Sequence, residues 1–191
     1  MNYQYPDIDD RLTIQLIEGE YDGVYWGESE NAVLNKAFEA IKQMPEKDDR
    51  KKLLDLGCGK GRLISSFIDV VDEITAAEPD FSRFSEAAEE GAKVMSQSGK
   101  TVEVLNGDIE AVPEGRMYDV ILSSHVMQHI TREMARKMFR DISSRLEEGG
   151  LVIMTTTHTA GTEDEFFSET WVDVNRKVCR ITVEDRAHIM V

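Results

Sequence analysis

The chain has 191 residues, of which 41% are hydrophobic and 31% charged. This composition is typical of one globular domain and excludes a disordered or fibrous chain. The 37 acidic residues outnumber the 22 basic ones, and the formal net charge is −15. Such a surface repels phosphate backbones, which disfavours direct binding of DNA or RNA. The densest basic run, at 50–52, leads into a predicted strand and is assigned to its solvated start.

Cysteine usage and hydropathy predict a cytoplasmic protein. Cys58 and Cys179 lie far apart and match neither a disulfide framework nor a CxxC metal pair. No apolar stretch approaches the roughly 20 residues that span a bilayer. The first residues do not combine a basic segment with an apolar one, as a secretory signal would. We therefore expect no membrane segment.

Residues 1–50 are predicted to form a helical lead-in. An aromatic loop bounded by glycines contains Tyr21, Tyr25 and Trp26. A helix is then predicted from near Ser29 to just before Pro45, because apolar residues recur there at helical spacing. The aromatic side chains are either local hydrophobic anchors or a lid over a ligand, and the sequence leaves both open.

From residue 51 to 191, the pattern predicts a doubly wound α/β fold. Apolar runs at 53–56, 74–77, 102–105, 120–122 and 151–154 predict strands. Helical spacing of apolar residues at 63–71, 81–95 and 134–146 separates these runs, and Gly149-Gly150 predicts the end of the last helix. This alternation is typical of a mostly parallel sheet with helices on both faces.

The strongest functional signal is the glycine-rich loop at 54–61, LDLGCGKG, between the first predicted strand and its helix. Alternate glycines let the backbone turn sharply and approach a ligand closely. Glu78 ends the second predicted strand, at the distance from Gly57 where a carboxylate in such a fold accepts ribose hydroxyls. The loop by itself also fits a dinucleotide site.

Two details favour a different ligand. The glycines follow G-x-G-x-G and lack the third glycine of G-x-G-x-x-G, which a dinucleotide site uses for close helix packing. Asp55 lies inside the strand, two residues before the loop, where a carboxylate suits a cationic amine better than a pyrophosphate.

Five segments, in order, resemble the motifs of class I (Rossmann-like) S-adenosylmethionine-dependent methyltransferases, in their small-molecule branch. Residues 54–61 are similar to motif I, and 77–80 (AEPD) to motif II. The adenine-binding motif resembles 106–109 (NGDI), and the fourth motif resembles 118–130. Residues 146–151 (LEEGGL) are similar to the turn before the fifth strand. The resemblance covers residues 51 to 156.

The resemblance assigns the first part of an S-adenosylmethionine site. It implies that Gly57 and Gly59 hold the backbone against the methionine part, while Asp55 organises the loop near the ammonium. Glu78 would accept the ribose hydroxyls, and Pro79 would pack on the nucleoside.

The resemblance also assigns the rest of the site. Asp108 would accept from the adenine amino group, beside the Ile109 backbone, although Asp108 could instead cap a turn. Ser124 or His125 would face the methionine and the transferable methyl group, and His125 is the candidate catalytic base. His129, four residues on, is assigned to packing. No third metal ligand accompanies the two histidines, and no metal site is predicted.

These residues predict a methyltransferase that acts on a small-molecule or protein acceptor, which the sequence does not identify. A non-catalytic cofactor-binding or interaction protein is the first alternative. A nicotinamide-dependent oxidoreductase is the second, although no Tyr-x-x-x-Lys motif is present. Members of the family usually complete the sheet after the fifth strand. The C-terminal residues 178–191 are therefore expected to form a minimal edge hairpin or a poorly packed tail. An exposed edge strand would favour a homodimer.

Overall fold

A computed structural model of the protein describes residues 27–45, 50–127, 130 and 132–155, together with three short strands farther on. In chain order the helices are α1 (Gly27–Gln43), α2 (Ile64–Phe67), α3 (Phe81–Ser98) and α4 (Arg132–Arg145). The strands are β1 (Lys52–Leu56), β2 (Glu73–Glu78), β3 (Thr101–Asn106), β4 (Tyr118–Ser124), β5 (Leu146–Thr155), β6 (Phe166–Ser168), β7 (Cys179–Ile181) and β8 (His188–Met190).

The main sheet has the strand order β3-β2-β1-β4-β5-β8. The first five strands pair in parallel, and β8 pairs antiparallel with β5. The predicted α/β fold is therefore confirmed. After β3 the chain crosses to the other side of β1 and forms β4 there. The loops that follow β1 and β4 therefore lead away from each other, toward opposite edges of the sheet. Open parallel sheets bind ligands at such a switch point, beyond the carboxyl ends of the strands.

Each face of the sheet is covered by its own apolar cluster. The face that packs against α1, called here the α1 face, includes Leu34 and Ile41 of that helix. The opposite face, called the α4 face, includes Ala135 and Ile142 of α4. Successive side chains of a strand point to opposite faces, so each strand supplies both clusters. The α1-face strand residues are Leu53, Ile74, Ala76, Val120, Leu122, Leu151 and Ile153.

The helix predicted over 63–71 is shorter than expected. Regular helix spans only Ile64–Phe67, although Leu63, Ile68 and Val71 are also buried on the α1 face. The Asp72 backbone N–H donates to the Lys51 carbonyl, which takes the chain into the start of β2. Apolar spacing in this stretch therefore reflects burial more than helix length.

Helix α3 forms where the sequence predicts it, but its buried side is displaced. The expected apolar positions include Phe81 and Met95, whose side chains are 70% and 44% exposed. The buried residues are instead Ala87, Gly91 and Val94. A Cβ atom on Gly91 would lie 3.0 Å from Val102 Cγ1. The helix therefore packs its small residues closely on β3, and its large ones lie on the outer side.

The expected role of Gly149-Gly150 as a helix stop is wrong. Helix α4 already ends at Arg145, and Leu146 begins β5 by pairing with Tyr118. The next pair is Val120 with Leu151, so between these two pairs β5 advances by five residues and β4 by only two. Gly149, at φ +77°, lies in this irregularity. The glycines therefore permit a bulge within the strand.

Of the two expectations for residues 178–191, the edge hairpin is wrong, and the poorly packed tail stays a prediction. Two strands form there, but β7 pairs with β6, and β8 pairs with β5 at the edge of the main sheet. The two strands therefore do not pair with each other, and β8 extends the main sheet beside β5. A homodimer formed at a sheet edge stays a prediction.

The predicted helix of the lead-in is confirmed as α1. Its residues Leu34, Ala37 and Ile41 belong to the apolar cluster of the α1 face, so this part of the lead-in packs on the sheet. The aromatic loop at 21–26 lies outside the described residues, and its suggested role as a lid stays a prediction. No helix in the described part of the chain has the length and apolar character needed to cross a membrane.

Candidate cofactor site

Polar side chains gather where the parallel strands end on the α1 face. Asp55 lies on the same side of β1 as Leu53, and Glu78 on the same side of β2 as Ala76. By the same alternation, Ser124 and Thr155 end β4 and β5 on this face and pair with each other. The apolar face of the sheet therefore changes to carboxylates and hydroxyls at the switch point.

Glu78 is buried and holds two loops with one carboxylate. Its Oε2 accepts from the Gly59 N–H at 2.9 Å, and its Oε1 accepts from the Asp80 N–H at 2.9 Å. Burial raises the pKa of Glu78, and the two backbone hydrogen bonds and the Arg83 charge partly oppose this rise. Each carboxylate oxygen has a second lone pair, so Glu78 can accept further hydrogen bonds from a ligand.

Asp55 is a second buried carboxylate, with a side chain only 3% exposed. Burial raises the pKa of Asp55 to about 7; the Arg62 charge lowers it, and the Glu78 charge raises it further. A buried carboxylate with a pKa near neutrality is stabilised in its charged form by a bound cation.

The glycine-rich loop adopts the left-handed conformations that its composition suggests. Gly57, Gly59 and Gly61 have φ values of +72°, +57° and +81°. A Cβ atom on Gly59 would have no atom within 4 Å, so the backbone there is open to a ligand. The N–H groups of Gly57 and Cys58 donate to the Ala77 carbonyl, which joins the loop to β2.

Gly61 supplies the close helix packing that the glycine pattern was expected to lack. A Cβ atom there would lie 3.1 Å from Ala87 Cα and 2.9 Å from Ile64 Cδ1. This glycine therefore permits close packing of a helix, the role of the third glycine in G-x-G-x-x-G, although it stands one position earlier. The glycine spacing alone does not separate the two kinds of ligand, and the distinction rests on the buried Asp55.

We expect Gly61→Ala to destabilise the protein more than Gly99→Ala. Both glycines have left-handed φ values, +81° and +71°, but a Cβ atom on Gly99 would meet nothing within 4 Å. The conformational cost is therefore similar, and overpacking against α3 adds about 1–3 kcal/mol for Gly61. Urea unfolding of both variants measures the difference. Equal losses would show that Ala87 and Ile64 move aside without cost.

The residues expected around the nucleoside lie in two loops beyond β2 and β3. Pro79 is half-buried, and its carbonyl accepts from the Asn106 side chain at 3.3 Å. Asp108 Oδ1 accepts from the Glu110 N–H at 2.8 Å and caps a 3-10 turn over Ile109–Ala111. The capping alternative therefore holds for one oxygen of Asp108, and Ile109 is buried beside it.

The end of β4 is joined to the end of β5. The Ser124 and Thr155 hydroxyls lie 2.8 Å apart, and the His125 N–H donates to the Thr155 carbonyl at 2.9 Å. His125 has φ +56°, a left-handed value that no other described non-glycine residue shares. Such backbone conformations are uncommon, and they concentrate at functional sites.

Several residues have structural roles or fall outside the site. Cys58 is buried, and its pKa is raised by burial and then by the Asp55 and Glu78 charges, which makes its thiol a poor nucleophile. Asp119 Oδ2 accepts from the Lys52 N–H, as expected of a residue that braces the strand start. His129 lies outside the described residues. Among the residues that the structure does describe, no cluster of metal ligands occurs.

Two neighbours of the site were missed from sequence. Thr155 ends the fifth strand, and only its place in the threonine run 155–157 distinguishes it there. Arg62 follows the glycine loop, and its charge acts on Asp55. Neither residue belongs to a motif, so only the strand register and the loop conformation bring them to the site.

The sheet order, the glycine turn after β1 and the acidic end of β2 define a Rossmann-like α/β domain. Residues 29–190 match the methyltransferase domain family, and the chain belongs to this family.

The chain aligns with only part of each curated relative. The chain is 28% identical over 147 residues to the malonyl-[acyl-carrier protein] O-methyltransferase of Halalkalibacterium halodurans, which spans 71% of this chain and 50% of the relative. It is 27% identical over 106 residues to a ubiquinone biosynthesis O-methyltransferase of Bradyrhizobium, covering 55% of this chain and 39% of that protein. The chain thus spans half or less of these relatives.

Solved structures share the fold. An S-adenosylmethionine-dependent methyltransferase from Clostridium acetobutylicum has a TM-score of 0.58 and 18% identity, covering 84% of this chain and 64% of that one. The DhpI–SAM–HEP complex has a TM-score of 0.55 and 18% identity, covering 93% of this chain and 82% of that one.

Proposed function

We propose that this protein transfers a methyl group from S-adenosylmethionine to a small-molecule acceptor. The cofactor would lie across the carboxyl ends of β1, β2 and β4. Membership of the methyltransferase domain family supports the activity. Both curated relatives carry the name O-methyltransferase, which supports the reaction class without identifying this acceptor.

The observation that carries the proposal is the pair of buried carboxylates, Asp55 and Glu78, at the ends of adjacent strands. At neutral pH, S-adenosylmethionine carries a sulfonium, an ammonium and a carboxylate, and its net charge is positive. A nicotinamide dinucleotide carries a pyrophosphate instead, and Glu78 could accept ribose hydroxyls from either ligand, but a charged Asp55 beside the glycine loop would repel the pyrophosphate. The charge of the site therefore fits S-adenosylmethionine better than a dinucleotide.

The binding roles follow from the positions of the residues. Glu78 accepts the ribose hydroxyls, and Asp55 stabilises the ammonium from below the glycine loop. Gly59 leaves the backbone open to the methionine part, and Gly57 holds the turn beside it, where a Cβ atom would clash with the Val126 side chain. Asp108, with Pro79 and Ile109, lies on the adenine side, and Ser124 and His125 lie on the side of the reacting methyl.

The bound cofactor supplies a methyl group on an activated sulfonium: the acceptor's lone pair forms the new bond to carbon as the carbon–sulfur bond breaks, leaving a neutral thioether. The protein's own residues chiefly hold and align the reactants. A base is required only if the acceptor must lose a proton during attack. His125 is the residue proposed to take that proton.

Calorimetry with two ligands tests the cofactor assignment. We expect the protein to bind S-adenosylhomocysteine and to show no heat of binding with NAD. Binding of NAD alone would overturn the proposal in favour of a nicotinamide-dependent oxidoreductase.

A screen of acceptors tests catalysis. The protein is incubated with S-adenosylmethionine and a library of hydroxy, carboxyl, amine and thiol compounds, and formation of S-adenosylhomocysteine is followed. Turnover with one class identifies the acceptor. Cofactor binding without turnover on any small molecule or protein would support a non-catalytic binding protein instead.

We expect His125→Ala to lower kcat by about 10²–10⁴ on a hydroxyl or amine acceptor, with S-adenosylhomocysteine affinity changed only a few-fold. The wild-type rate profile should carry an inflection where protonation of the imidazole removes the base. The variant should lose this inflection. The measurement is kcat against pH with an acceptor from the screen.

His125→Asn is the matched control, because asparagine tolerates the left-handed backbone at this position but is no base. A kcat loss equal to that of the alanine variant supports proton transfer. Wild-type rates in the asparagine variant would show that only the backbone conformation matters at this position.

Three further assignments belong to the proposal. The domain runs over 51–191 with a lead-in at 1–50, whose aromatic residues serve either as local hydrophobic anchors or as a lid over the cofactor. The protein is cytoplasmic, in keeping with the free, buried Cys58. Nucleic acid is not its substrate, in keeping with the net charge of −15.

A further inference from the structure

Thr155 connects the ends of β4 and β5 through two different groups. Its carbonyl accepts from the His125 N–H at 2.9 Å, and its hydroxyl lies 2.8 Å from that of Ser124. Thr155 is 6% exposed, and its hydroxyl contact with the half-buried Ser124 is partly shielded from water. One residue of β5 therefore fixes both the last side chain of β4 and the turn that follows it.

In the Ser124–Thr155 pair, one hydroxyl donates the hydrogen bond and the other accepts it, and either residue can be the donor. Two hydroxyls share one proton between them, and the hydroxyl that accepts keeps its own proton for a second acceptor. Each bond of such a chain polarises the next, and the effect is stronger away from water. If Thr155 donates, Ser124 becomes the better donor toward a ligand beyond the strand ends. If Thr155 accepts, the Ser124 oxygen becomes the better acceptor for other donors.

The backbone contact acts on His125. A left-handed φ of +56° on a residue with a side chain is unfavourable unless the surroundings hold it. The hydrogen bond from its N–H to Thr155 is one contact that does so. The same residue thus stabilises the Ser124 hydroxyl and the strained turn beside it.

We propose that Thr155 is a positioning residue for the amino-acid end of the cofactor, acting through the Ser124 hydroxyl. This inference rests on the proposed function, because it takes S-adenosylmethionine to lie beyond β4. It adds to that function a residue of β5 that no methyltransferase motif in the sequence includes.

Two ligands that differ only in their amino-acid part test the proposal. S-adenosylhomocysteine carries this part, and 5′-methylthioadenosine lacks it. Thr155→Val keeps the branched shape of the side chain and removes the hydroxyl. We expect it to weaken S-adenosylhomocysteine about three- to tenfold, the effect of one lost hydrogen bond, and to leave methylthioadenosine unchanged. Calorimetry measures both affinities.

Three variants complete the experiment. Thr155→Ser retains the hydroxyl and should restore most of the affinity. In a Ser124→Ala background, Thr155→Val should have little further effect, because its hydroxyl acts through Ser124. Ser123→Ala is the matched control: this hydroxyl is fully buried one residue away, toward the α4 face, with no hydrogen-bond partner among the described residues. Its loss should leave both affinities unchanged.

Equal weakening of the two ligands by Thr155→Val would overturn the proposal, since it would indicate a general loss of structure. Unchanged S-adenosylhomocysteine affinity would overturn it as well. If the valine variant does not fold, Thr155→Ala gives the same comparison. A wild-type protein that binds neither ligand would overturn the proposed function, and this proposal with it.

Discussion

We expect Glu78→Ala to bind S-adenosylhomocysteine at least tenfold more weakly than the wild-type protein. A carboxylate that accepts two ribose hydroxyls in a desolvated site contributes about 1.5–3 kcal/mol for each hydrogen bond. Glu78 also accepts from the N–H groups of Gly59 and Asp80. The variant therefore loses the ligand contacts and one support of the glycine loop. Calorimetry measures the affinity, and circular dichroism checks the fold.

Glu103→Ala is the matched control for this change. Glu103 lies on the neighbouring strand β3, level with Thr75, and its carboxylate forms an ion pair with Arg116. Removing it changes the net charge equally but touches no part of the proposed site. Asp108→Ala should weaken binding less than Glu78→Ala, because Asp108 would accept one hydrogen bond from the adenine amino group and Glu78 two from the ribose hydroxyls. An unchanged dissociation constant in the Glu78 variant would remove this residue from the site.

The second large effect is expected for Asp55→Asn, which should stabilise the protein at alkaline pH. Burial raises the pKa of Asp55 from 3.8 to about 7. The folded protein therefore holds this proton more tightly than the unfolded chain. Between pH 4 and 7, the Asp55 carboxylate is ionised in the unfolded chain and has to take up a proton when the chain folds. Stability is full below pH 4 and declines as the pH rises to about 7, above which the loss is constant.

The size of this loss follows from the shift. Each pKa unit corresponds to about 1.36 kcal/mol, so the charged Asp55 costs about 4 kcal/mol above pH 7. Asparagine has no such titration. The variant should exceed the wild-type protein in unfolding free energy by an amount approaching this figure at pH 8, and the gain should vanish near pH 4. Urea unfolding at several pH values measures it.

The same variant should lose cofactor affinity. An asparagine cannot stabilise an ammonium as a carboxylate does, and we expect S-adenosylhomocysteine to bind at least tenfold more weakly. Wild-type affinity should rise with pH up to about 7, as Asp55 ionises. Asp69→Asn, at an exposed position, controls for net charge. A stability difference that does not vary with pH would contradict a buried, titrating Asp55. Natural sites often trade stability for function in this way.

The sequence predicted the elements that depend on local pattern. The five parallel strands and helices α1, α3 and α4 lie where the apolar runs place them, because period and turn residues carry that information along the chain. Errors occurred where tertiary contacts override the pattern. Helix α3 buries Ala87 and Gly91 in place of its large residues because it packs closely on β3. Gly149 lies within a strand because Leu146 pairs with Tyr118.

By itself, the sequence determined the α/β class, the glycine loop and the carboxylate that ends β2, since each is a short segment with a characteristic composition. Only the tertiary structure decided how these groups act together. It buried Asp55 deeply enough to raise its pKa to about 7, it turned Gly61 into a packing position against α3, and it placed Thr155 beside Ser124. These properties depend on distances between residues far apart in the chain, which strand register and burial set and no local pattern records.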